Sequence, residues 1–100
     1  MSRILVLMTY DVKPRKRQEF LKWTKKVKKY IRAKYRQDYS FFEHKDKKNR
    51  FTEVFVCRTK KDYKKIQHLH DAKIDQFIWE MDKFIGDREK CLFQTLIELK

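Results

Sequence analysis

Three observations predict an α+β domain built from a four-stranded antiparallel sheet with two helices on one face. Apolar residues alternate or run together over 4–10, 39–44, 51–57 and 91–99, which is the pattern of strands. Over 14–36 and 60–85 they recur at spacings of three and four, which is the pattern of helices. The short charged turn at 45–49 joins the two middle strands as a hairpin. The order strand, helix, strand, strand, helix, strand is the split βαβ, or ferredoxin-like, arrangement βαββαβ. One domain over residues 1–100 is expected, because a single Gly and a single Pro leave no linker.

The first strand, Ile4 to Tyr10, is apolar at both alternating sets of positions and stops at Asp11. Strand side chains point alternately to opposite faces, so both faces of this strand need a cover. The helices cover one. A chain this short has nothing left for the other, so a second copy of the sheet is expected there, in a homodimer through the open sheet face.

Pro14 then stands at a first helical position, where its missing N–H has no partner to lose. Phe20, Trp23, Thr24, Val27, Tyr30, Ile31 and Tyr35 form the stripe of the first helix. Thr59 and Asp62 resemble a capping box at the start of the second. Its stripe is Tyr63, Ile66, His70, Ile74, Phe77, Ile78, Met81, Phe84 and Ile85, and Asp71 is placed to cap a new segment from Ala72. Gly86 lies just past the stripe, where a left-handed C-cap is expected. Trp79 falls opposite the stripe and is expected to be exposed.

Charge is the compositional outlier. Lys and Arg number 27 against 14 Asp and Glu, a net +13 that attracts polyanions. Much of the excess lies on the first helix, where Lys22 and Lys26, Lys25 and Lys29, Lys28 and Arg32, and Arg32 and Arg36 are like charges one turn apart. Each such pair destabilises an isolated helix by roughly 0.2–0.5 kcal/mol. Lys22, Lys25, Lys29, Arg32 and Arg36 are therefore the candidate anion-binding residues, with nucleic acid as the candidate partner and a solvated lysine-rich face as the alternative.

The longest apolar run, Ile4 to Met8, is far shorter than the roughly 18 residues of a membrane span or the about 7–15 of a signal-peptide core. No transmembrane segment and a cytoplasmic location are expected. Cys57 and Cys91 lack CxxC spacing and are expected to be reduced core residues. His68 and His70 are two apart, which on a helix puts them on different faces and excludes an i, i+4 metal pair. There is no Gly-rich phosphate loop and no Ser-His-Asp arrangement. Neither a metal site nor a cofactor is expected.

The chain resembles the dimeric α+β barrel superfamily, and within it the antibiotic biosynthesis monooxygenase-like proteins. The resemblance is carried by Tyr10-Asp11-Val12-Lys13-Pro14 with Glu19-Phe20-Leu21, by Asn49-Arg50-Phe51-Thr52-Glu53-Val54-Phe55-Val56, and by Arg58-Thr59-Lys60-Lys61-Asp62-Tyr63. It implies two sheets meeting face to face in a dimer, with any ligand held between helices and sheet of one protomer. Implied activities include cofactor-independent oxygenation of aromatic substrates, haem degradation, and binding without known chemistry. The haem-degrading branch has an Asn at the end of the first strand, a Trp in the helix after the third strand and a later helical His ligand. Tyr10 and Asp11, Ile66, and Gln76-Phe77 stand at those places here, so haem chemistry is not implied. Tyr10-Asp11-Val12 and Tyr39-Ser40-Phe41-Phe42-Glu43 are also similar to the small CRISPR-associated ferredoxin-like nuclease, which implies a metal-dependent role for Asp11.

For a pocket between helices and sheet, Tyr10, Trp23, His70 and Phe77 are the candidate ligand-binding residues, and a small aromatic or anionic molecule is the candidate ligand. His70 is the candidate general base, with Asp11 as a second catalytic candidate or else a helix cap. Glu53 interrupts an apolar strand, as a buried acid or a dimer contact. Three classes of function follow: a small-ligand binder or oxygenase, a nucleic-acid-binding protein, and a structural or regulatory dimer.

Overall fold

A computed structural model describes residues 2–100. Strand β1 (Ile4–Asp11) lies between β3 (Arg50–Cys57) and β4 (Leu92–Ile97), while β2 (Asp38–Glu43) closes the far edge beside β3. Every neighbouring pair is antiparallel. Helix α1 (Arg17–Tyr35) crosses between β1 and β2, and α2 (Lys60–Gln67) and α3 (Ala72–Met81) between β3 and β4. This is the ferredoxin-like α+β arrangement, with the second helix divided in two.

Register decides what faces the helices. Tyr10 of β1 pairs with Phe51 of β3, and Met8 with Glu53. Strand side chains alternate, so Tyr10, Met8, Phe51, Glu53 and Phe55 share the helix side. Phe20 of α1 is fully buried against them, its ring 4.5 Å from that of Phe51, 5.9 Å from Tyr10 and 5.8 Å from Phe84. Edge-to-face and tilted ring pairs of this kind each contribute about 0.5–1.5 kcal/mol beyond burial.

The helix ends follow local chemistry. Pro14 opens a 3-10 turn, Pro14–Lys16, that leads directly into α1. Thr59 accepts a hydrogen bond from the Asp62 backbone N–H at 3.0 Å, and Asp71 accepts one from Ile74 N–H at 2.8 Å. These two caps start α2 and α3 where the sequence places them.

Gly86 does not form a left-handed cap: none of the described glycines has positive φ. Helix α3 stops earlier, at Met81, because 82–85 tighten into turns and Ile85 pairs with Val12 beside β1. Phe84 and Ile85 are core residues, but not helical ones. The left-handed residue that ends a helix is Arg36, with φ 51°, at the end of α1. Cys57 is buried, whereas Cys91 lies just before β4 and is half-buried; both are free thiols.

The second sheet face carries Leu5 and Leu7 of β1, Val54 and Val56 of β3, and Leu92 and Leu96 of β4, by alternation from the register. Strand β4 is exposed along its whole length, Leu92 53% and Leu96 48% on this face and Phe93 71% and Ile97 69% on the helix side. Among the described residues no helix is long and apolar enough to cross a membrane.

Candidate functional site

A carboxyl group sits inside the helix–sheet layer. Glu53 is on the inward face of β3, and two phenols on the neighbouring strands converge on it. Tyr10 of β1 donates to one carboxyl oxygen at 2.7 Å, and Tyr39 of β2 donates to the other. All three side chains are buried, Tyr39 to 1% exposure and Glu53 to 8%.

Burial disfavours charge on this acid and raises its pKa, while the hydrogen bonds from Tyr39 and Tyr10 pull in the opposite direction. Burial first, and then the neighbouring carboxylate, push both phenols upward. The phenols therefore remain donors, and Glu53, whose proton burial holds more tightly than on an exposed carboxyl, is the acid of the three.

Beside this cluster lies a cavity of about 200 Å³. Met8, Trp23, Val27, Phe55, Leu69 and Phe77 supply much of its apolar wall, and Glu53 and Tyr39 give it a polar edge. No lysine, arginine or histidine lines it. The indole Nε1 of Trp23 is buried without a hydrogen-bond acceptor among the described residues. A mostly apolar chamber with one buried acid at its edge can hold a neutral molecule and offer it a hydrogen-bonding carboxyl group.

The predicted residues divide. Trp23 and Phe77 line the cavity, and Tyr10 reaches it through Glu53. His70 does not: its side chain is 74% exposed, with Nδ1 3.1 Å from Asp75 Oδ1. The helical phase that placed it inward ends with α2 at Gln67, and the joint that follows turns Leu69 inward instead. The general base available to the cavity is Glu53. An anionic ligand is likewise disfavoured there, because the lining holds an acid and no cation.

Asp11 is on the opposite sheet face from the cavity and pairs with Arg50 at 2.9 Å and Lys47 at 3.8 Å. The hydrogen bond from Arg50 is the main cause that holds its carboxyl below the ordinary range. It caps no helix, and among the described residues no three His, Cys, Asp or Glu side chains are grouped to hold a metal.

Of the basic candidates, Lys22, Lys25 and Lys29 are exposed on α1 with no acid within ion-pair distance among the described residues. Arg32 is engaged internally, its Nε donating to Tyr39 C=O at 2.9 Å and its Nη2 to Ser40 Oγ at 3.0 Å. Arg36 stands at the left-handed end of the helix.

Glu53 and Tyr39 were absent from the sequence-derived site. The signal was an acid within the apolar run Phe51 to Cys57, and its orientation needed the strand register.

Fold and site together define a ferredoxin-like α+β protein with a chamber between its helices and sheet. Solved structures that share the fold include an antibiotic biosynthesis monooxygenase candidate from Caulobacter crescentus CB15, at TM-score 0.78 and 16% identity, covering 99% of this chain and 92% of that one. A conserved protein from Methanosarcina mazei Go1 superposes with TM-score 0.74 and 18% identity, covering 100% and 94%. A conserved protein of unknown function from Bacteroides thetaiotaomicron VPI-5482, described as a possible oxidoreductase, gives 0.72 and 12%, covering 96% and 97%. No protein-family model and no curated protein sequence matches the chain. These likenesses establish the ferredoxin-like fold of the protomer.

Proposed function

We propose that the protein is a homodimer joined through its open sheet faces, and that each protomer binds a small neutral aromatic molecule carrying a hydroxyl group. The observation that carries this is Glu53, buried at the edge of an otherwise apolar cavity and held by Tyr10 and Tyr39. A cavity of about 200 Å³ exceeds the roughly 150 Å³ of an apolar cavity that takes up benzene. One substituted ring, or two fused rings, suits that space. As a carboxylate, Glu53 accepts the ligand's hydroxyl proton, and the apolar walls match the faces of its ring.

Cofactor-independent oxygenation is the catalytic form of this function, in keeping with the Caulobacter structure described as a monooxygenase candidate. In that chemistry Glu53 takes the phenolic proton, and the electron-rich ring itself reduces dioxygen by four electrons: one oxygen atom replaces a ring hydrogen as the second carbonyl of a quinone, and the other leaves as water with the two hydrogens lost from the O–H and the ring C–H. Trp23, Phe77 and Met8 shape the chamber, and Tyr10 and Tyr39 hold the acid in place.

The test is a fluorescence titration of Trp23 in a Trp79→Phe background with 2-naphthol and 2-naphthoate, followed by dioxygen uptake in an oxygen electrode. Saturable quenching by the naphthol, little by the naphthoate, and about tenfold weaker binding in Glu53→Gln are expected, the size of one hydrogen bond to a charged group. A folded protein with no saturable response to the naphthol would sink the proposal. Binding without dioxygen uptake would remove the oxygenation and leave the binding function.

A further inference from the structure

The charge on the helix layer is distributed in a way that the cavity does not use. Several acids near α1 are already engaged: Glu43 with Arg17, Asp71 with Lys34, and Glu19 with Lys16. Lys22, Lys25, Lys26, Lys28 and Lys29 have no acid within ion-pair distance among the described residues. Their like-charge repulsion along the helix is therefore uncompensated within the chain.

Helix α3 adds two features to this field. Lys83, just past its end, lines a shallow groove between α3 and α1 together with Lys22 and Lys26. Trp23 and Phe84 form apolar parts of the groove, and Glu19 and Glu80 are its acidic members. The ammonium of Lys83 also stands 4.9 Å from the ring centroid of Trp79. Trp79 is 65% exposed, so its indole is open to a stacking partner.

Unpaired lysines beside an exposed aromatic ring are the two components of a single-strand nucleic-acid surface. The ammonium groups follow the phosphates, and the ring stacks on a base. A duplex keeps its bases stacked inside and can use only the first component. We infer that the α1–α3 face binds single-stranded nucleic acid, with Lys22, Lys26 and Lys83 on the phosphates and Trp79 against a base. This revises the sequence-derived surface, because Arg32 is engaged with β2, and Trp79 of α3 and Lys83 just past its end join it.

Fluorescence anisotropy with labelled oligo(dT) and oligo(U), across a salt series, tests the inference, with a duplex of equal length, heparin and phosphatidylserine vesicles as competitors. Tighter binding of single strands than of the duplex is expected, with affinity falling linearly with salt on logarithmic axes. Removing Lys22, Lys26 and Lys83 together is expected to reduce that slope by about 2, at about 0.7 per phosphate contact on single strands. Trp79→Ala is expected to leave the slope unchanged and weaken single-strand binding about tenfold, the effect of losing one stacked base. All four positions are on the surface, and an unchanged thermal midpoint confirms that the variants fold. Three outcomes would overturn the inference: no binding at low salt, equal binding of duplex and heparin with Trp79→Ala neutral, or preferential capture by the vesicles.

Discussion

Tyr10 and Tyr39 each direct a hydroxyl at Glu53, so the three side chains stand or fall together. Burial raises the Glu53 pKa, and the folded chain holds that proton more tightly than the unfolded chain does. This contribution to stability is therefore largest at low pH and declines as pH rises from the ordinary carboxylate value through the folded one. Glutamine is neutral throughout and can accept from one phenol while donating to the other. Glu53→Gln is expected to gain stability relative to the parent as pH rises, and thermal midpoints of the two proteins from acidic to mildly alkaline pH measure the difference directly. A Glu53→Gln midpoint that does not rise relative to the parent's as pH rises would refute the raised pKa. Glu53→Leu instead leaves two buried hydroxyls without a partner and is expected to cost roughly 2–6 kcal/mol, at about 1–3 for each unsatisfied group. At this scale the sequence was only half legible. An acid among Phe51, Val54 and Phe55 is visible in a list of residues, but the phenols that meet it lie on two other strands, and only register brings them together.

One carboxylate, at the joint between α2 and α3, ties that joint to α1. Asp71 caps α3 through Ile74 N–H and also accepts from Tyr30 Oη at 2.8 Å, Lys34 Nζ at 3.0 Å and Tyr35 Oη, all on α1. The hydrogen bond from Tyr35 is the first cause that holds its carboxyl well below the ordinary range. A depressed pKa contributes stability above the unfolded value and loses it as pH falls through the folded one. Asparagine retains the cap and removes the charge, whereas alanine removes both. Thermal midpoints at neutral pH are expected to fall in the order parent, Asp71→Asn, Asp71→Ala, by several degrees overall. The gap between parent and Asp71→Asn is expected to close below the ordinary carboxylate range, and a gap that persists there would show that charge is not what Asp71 contributes. The caps at Thr59 and Asp71 were legible because a cap is a local event, complete within four residues. The outward position of His70 was not, because a helical stripe loses its phase wherever the helix stops, and this one stops at Gln67.

At the scale of the whole molecule, the outstanding physical question is the open face of the sheet. It presents Leu5, Leu7, Val54, Val56, Leu92 and Leu96, with Leu7 directly opposite Val54 in the register and therefore near the middle. Leu92 and Leu96 are 53% and 48% exposed and the other four are half-buried with no cover in the protomer, an apolar grouping of the kind that contact surfaces present. The two-sided apolar character of the first strand carried the same message in sequence, because a central strand samples both faces. Val54→Asp places a carboxylate where two such faces would meet, and a charge buried there without a partner is strongly unfavourable. Glu53, one residue earlier, points to the other side of the sheet, so the cavity and its phenols are untouched by this substitution. Sedimentation is expected to give a dimer for the parent and a monomer with a lower thermal midpoint for Val54→Asp, while 2-naphthol still quenches Trp23 in the folded fraction. A parent that sediments as a monomer at tens of micromolar would overturn the dimer, yet leave ligand binding standing, because the acid and its chamber belong to one protomer.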